Sequence, residues 1–174
     1  MKPETRYALF ILGAAILWKL ILLYTGLVNT AIGKYPLLLI FGFLLIGMYR
    51  GMEERRKMDH VENLHFPSLF KSGMSIVALF SLTYSLFLYV YLRFIDSGFM
   101  TRMKFARMEE VKKSTTSAEK IEAFSRSFDQ LPNVTLWILF TFIGLMVLGA
   151  FYSGMITRMM RKKYFPVAGS KSRF

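Results

Sequence analysis

Four apolar runs, each bounded by basic or turn-forming segments, decide what this chain can fold into: residues 7–28, 35–49, 69–92 and 134–156. A helix that crosses a bilayer needs ~20 mostly apolar residues. Three of the runs meet that length. The run at 35–49 is short, and Pro36 suits its first helical turn. The reading is an all-α integral membrane four-helix bundle built from two hairpins, one transmembrane domain over 1–174. The first run is too long for a signal-peptide core and lacks a small-x-small cleavage site, so it reads as a retained span.

Composition agrees. Hydrophobic residues make up 54% of the chain, with 17 Phe, 9 Tyr and 12 Met. A soluble domain of this size lacks the polar cover for so much apolar surface. There is no cysteine, which excludes a disulfide scaffold, a thiolate metal site and a cysteine nucleophile. The two histidines, His60 and His65, lie near Asp59 and Glu62. Ligands sharing one helical face want a spacing of three or four residues. These two are five apart in a polar segment beside a basic run, so they read as a solvated loop. No metal, cofactor or catalytic residue is assigned.

The net charge is +12. Basic chains often bind nucleic acid. Here the Lys and Arg clusters abut apolar runs, where they act as orientation signals and contacts for anionic lipid headgroups, so no nucleic-acid partner is expected. With both termini in the cytoplasm, the inner segments hold thirteen Lys and Arg and the outer segments nine, eight of them being Arg93 and the seven of the long mixed-sign loop at 94–132 that follows it. That distribution favours cytoplasmic termini, with a cytoplasmic tail at 158–174. Arg55, Arg56, Lys57, Arg161, Lys162 and Lys163 are the candidate contacts for lipid headgroups or a partner.

The outer loop predicts two short helices. In the first, Phe99, Met103, Ala106 and Val111 form an apolar stripe suited to the membrane interface. The second opens on a capping-box pattern, Thr116 with Glu119, and stops before Pro132.

Within the spans, Lys19 falls near the bilayer centre. No carboxylate lies in the other three runs, so its in-chain partners are hydroxyls such as Ser81, Thr83, Tyr84, Ser85 or Thr141. Such a lysine contacts a partner subunit or anionic lipid, snorkels toward the interface, or is neutral and hydrogen-bonded inside the bundle. In the last run, Gly149 and Ser153, and Ala150 and Gly154, are four apart, with Gly144 earlier. Small residues at that spacing let helices approach closely, within the chain or between subunits. Phe80, Tyr84, Phe87 and Tyr91 follow helical spacing and either pack internally or line a groove for a lipid chain.

Several of these segments also carry a family resemblance. A basic loop leads into His65–Pro67, then Lys71-x-Gly73, then a long aromatic helix closing on Tyr91-x-x-Phe94-Ile95-Asp96. This pattern resembles domain-of-unknown-function family 4199, four-span proteins found mainly in Bacteroidota. The resemblance implies a bacterial inner-membrane location. It implies no activity and no functional residues.

The functional expectation is a non-catalytic membrane subunit that binds a membrane protein partner or anionic lipid. The alternative is a small transporter or lipid-handling protein.

Overall fold

The computed structural model describes residues 1–27, 36–58, 66–114, 119, 123, 126 and 134–164. Among these residues the secondary structure is helical. Helix α1 (Pro3–Tyr24) begins with proline in its first turn, where a missing N–H costs nothing. It ends at Thr25, whose N–H and Oγ1–H both donate to the Ile21 carbonyl, at 2.9 and 2.6 Å. Gly26 then leaves with φ of 69°, a left-handed exit that glycine takes without steric cost.

Helix α2 (Pro36–Met58) is apolar only as far as Tyr49 and then continues through RGMEERRKM. The expected span ended at 49, but the helix does not. Met, Glu, Arg and Lys are good helix formers, and Arg55, Arg56 and Lys57 in the last turn face the negative end of the helix dipole. Loss of hydrophobicity therefore ends the apolar segment without ending the helix.

Helix α3 (Phe66–Val90) runs into a π-helical turn (Tyr91–Ile95), closed by the Asp96 N–H donating to the Tyr91 carbonyl at 2.8 Å. Helix α4 (Phe99–Ser114) and helix α5 (Val134–Tyr164) follow. Three stretches, Pro3–Tyr24, Phe66–Ile95 and Val134–Arg161, are long and apolar enough to cross a bilayer, the mark of a membrane protein. The 31 residues of α5 reach about 46 Å at ~1.5 Å per residue, more than a hydrocarbon core of ~30 Å needs.

The chain forms two compact units, one of Met1–Tyr84 with Ile143–Phe174 and one of Ser85–Phe142. In the first, buried rows at helical spacing make the core: Ile11 and Ala15 on α1, Leu44, Met48 and Met52 on α2, and Ile76, Phe80 and Tyr84 on α3. Phe80 and Tyr84 are fully buried and their rings stack at 5.4 Å, so at these two positions the aromatic side of α3 is packing. Large apolar side chains on the other faces, such as Phe10, Leu17, Val147 and Phe151, are exposed. Acyl chains would cover them in a bilayer.

In the second unit, Asp96 joins α3 to α4. Arg102 Nη2 donates to its Oδ1 at 2.5 Å and the Tyr91 hydroxyl to its Oδ2 at 3.4 Å. The Phe99 ring lies 6.4 Å from that of Trp137. Of the expected stripe, Phe99, Met103 and Val111 are half-buried and Ala106 is exposed. Phe105, on the other side of α4, is also exposed. The Thr116 cap lies outside the described residues, while Glu119, Ala123 and Arg126 are helical.

Candidate functional site

Helix contacts in the first unit set the directions of its helices. A Cβ placed on Gly51 of α2 would stand 2.7 Å from Ile76 Cδ1 on α3 and 3.2 Å from Tyr7 Cδ2 on α1. A Cβ on Gly47 would meet Ile11, one turn further along α1. On the other side, Gly73 of α3 meets Ser153 of α5 and Met52 of α2, and Gly149 of α5 meets Val77 of α3. α1 and α3 thus run one way and α2 and α5 the other. The start of α1, the end of α2, the start of α3 and the end of α5 all lie at one end of this unit.

That end is polar. Glu4, in the first turn of α1, accepts at Oε1 from the Ser72 hydroxyl at 3.1 Å, with Arg55 Nε at 3.7 Å. Glu4 Oε2 is buried without a hydrogen-bond partner among the described residues. Two residues on, Arg6 donates to Glu54 of α2, and its guanidinium carbon lies 5.2 Å from the centre of the Tyr7 ring. The pairs are crossed: each helix contributes one acid and one base. Deeper in, the Ser153 hydroxyl donates to the Phe70 carbonyl at 2.9 Å, and Thr157 donates to the Ser153 carbonyl at 2.7 Å. Ser153 and Thr157 are fully buried.

The six basic candidates lie on two helices that reach this end. Arg55 is tied to Glu4. Arg56 is half-buried and engaged within the chain. Lys57 and Arg161 are exposed, as is Arg158. Lys162 and Lys163 fall in the last turns of α5, and their side chains lie outside the described residues. Lys19 is half-buried and engaged within the chain, between exposed Leu17 and buried Leu22. Of the small residues, Gly149 and Ser153 meet α3, Ala150 is half-buried, and Gly154 lies at the edge of contact, where an added Cβ would stand 4.0 Å from Phe70 Cε2. Gly144 does not join this seam. It is exposed, with none of the described residues within 4 Å of where its side chain would be. It lies five residues before Gly149, a step that turns it away from α3.

Glu4, Arg6 and Glu54 carry much of this site, and spacing alone does not single them out. An acid in a first helical turn reads as a partner of the helix dipole. Its role as a lateral partner of Arg55 needs the register of α1 on α2. The segment with His60 and His65 lies outside the described residues; among those described, no three acids or histidines gather as a metal site.

Chemically, this end offers guanidinium and ammonium groups at the close of apolar helices, the side-chain types whose charge complements anionic groups. The Ser72 and Ser153 hydroxyls and the half-buried Glu4 carboxylate are held by helix-to-helix contacts. No curated protein and no solved structure matches the chain. A family model described as a protein of unknown function, DUF4199, matches residues 6–162, most of the length, and the chain belongs to that family.

Proposed function

We propose that this protein is a non-catalytic, four-span subunit of the bacterial inner membrane, with both termini cytoplasmic, that binds anionic lipid and through it or beside it a membrane protein partner. The observation that carries the reading is the continuation of α2 and α5 beyond their apolar segments as helix. The two ends set Arg55, Arg56, Lys57, Arg158 and Arg161 on rigid backbone at one end of the first unit. A disordered basic tail would attract the same lipids. A helical collar holds its cations at a fixed depth, which favours headgroups over bulk anions. The fourth span is the apolar half of α2. Its 14 residues at 36–49 reach about 21 Å at ~1.5 Å per residue, short of the hydrocarbon core, so snorkelling arginines or local thinning complete the crossing.

The transporter alternative asks for a polar route along the bundle. On α3 the buried hydroxyls of Ser72 and Ser81 are separated by Ile76, Val77 and Phe80, all fully buried. Nine residues of helix set those hydroxyls about 13 Å apart, with apolar side chains between them, which weighs against a continuous path. The test is purification from native membranes in mild detergent, with identification of the lipids and proteins that remain. Enriched anionic lipid with a stoichiometric partner is the expected result. A bare monomer with bulk-like lipid would end the proposal.

A further inference from the structure

Arg6 occupies an unusual place on α1. With Phe10, Leu17 and Tyr24 it forms one row, because steps of 4, 11 and 18 residues return to within ~40° of the same face at ~3.6 residues per turn. The last three are the outward face of the helix: Phe10 is 71% exposed, Leu17 63% and Tyr24 85%. From Arg6 to Tyr24 is about 27 Å along the axis, close to the ~30 Å of a hydrocarbon core. An exposed tyrosine at one end of an apolar row and an arginine at the other is the pattern of a span registered on both interfaces. Arg6 therefore stands at headgroup depth on the lipid-facing side of α1, its side chain 57% exposed.

In the structure its guanidinium is held by a carboxylate of the same protein. Glu54 accepts from Arg6 Nη2, and Glu54 is itself 29% exposed, so water can solvate it on release. An exposed ion pair of this kind contributes little, typically ~0–1 kcal/mol. A phosphate monoester or diester offers the planar guanidinium fork a better match than a single carboxylate oxygen. The Tyr7 ring beneath the guanidinium limits its freedom and keeps the fork directed. Beside it, Arg55 is held in the same manner by Glu4 and supplies a second cation.

We propose that Arg6 is a binding site for the phosphate of an anionic phospholipid, and that Glu54 occupies this site when no lipid does. The phosphate replaces Glu54 on the Arg6 guanidinium, and Glu54 turns to water. This rests on the anionic-lipid reading above and adds a specific, internally blocked site centred on Arg6 of α1, distinct from Arg158 and Arg161 of α5. It also couples lipid binding to loss of one α1–α2 brace.

The test uses the full chain in phosphatidylcholine nanodiscs doped with phosphatidylglycerol, with bound lipid counted by native mass spectrometry. E54Q removes the competitor and is expected to raise phosphatidylglycerol retention roughly three- to fivefold, the equivalent of an exposed ion pair. R6Q is expected to lower it below wild type. If R6Q fails to fold, E54Q still decides, because a merely structural brace would not raise lipid retention when broken. Retention by E54Q equal to or below wild type overturns the site. Displacement of the lipid by excess inorganic phosphate also overturns it, since the ligand would then be free phosphate. A double variant R158Q/R161Q separates the two ideas: lowered retention there with unchanged E54Q leaves the basic-end reading standing and removes Arg6, and the converse removes the basic end alone.

Discussion

The Ser153 hydroxyl on α5 donates to the Phe70 carbonyl of α3 at 2.9 Å, next to Gly73, where a side chain would strike Ser153 itself. The absent side chain and the hydrogen bond are one feature: the helices come close enough to bond because glycine leaves the room. Association of helices in lipid depends on such close packing, since acyl chains are as apolar as the side chains they replace.

Substituting leucine at Gly149 should therefore be costly, because its Cβ would meet the stiff β-branched Val77. A loss of about 1–3 kcal/mol is expected for overpacking of this kind. The same change at Gly144 enters open space and should leave the melting temperature in detergent at or above wild type. Equal melting of the two variants would mean the seam between α3 and α5 is misplaced.

Ser153→Ala keeps the close approach but removes the hydroxyl. Interhelical hydrogen bonds in membrane proteins average ~0.6 kcal/mol, so the variant should melt only slightly lower and remain monodisperse. Collapse of the protein would assign Ser153 a role beyond this bond.

Asp96 is buried and receives Arg102 and Tyr91. Asp96→Ala removes the acceptor of a charged hydrogen bond, a type contributing ~1.5–3 kcal/mol. Amide exchange in α4 should accelerate by roughly tenfold or more, while exchange at Ile76 and Phe80 stays unchanged. Unaltered exchange across α4 would show that something other than Asp96 fixes this helix.

Lys19 is half-buried and already engaged within the chain. Lys19→Met preserves the stem and removes the charge from bilayer depth. The variant is expected to melt no lower than wild type and to retain whatever lipid or protein co-purifies with wild type, whereas a drop in either would make the ammonium a functional contact.

The chain has no cysteine, so single cysteines report topology directly. Thr101→Cys, exposed on α4, should react with an impermeant maleimide on intact spheroplasts, and Lys2→Cys should react only after lysis. The opposite pattern would invert the orientation.

The sequence by itself located the apolar runs of the three helices long enough to cross a bilayer. Hydrophobic run length and Pro36 in a first turn are local properties, and local backbone chemistry suffices to read them. It also marked Gly149 and Ser153, since four-residue spacing is visible in one dimension. Tertiary structure alone decided the rest. It showed that α2 stays helical through its charged end, that Gly73 and Gly51 are as closely approached as Gly149, and that a side chain at Gly144 would meet none of the described residues. It paired Glu4 with Arg55 and Arg6 with Glu54, residues far apart in the chain. The physical reason is register. Which face of a helix meets which neighbour depends on how several helices fit together at van der Waals distance, and a single helix's periodicity carries no information about its partner's phase.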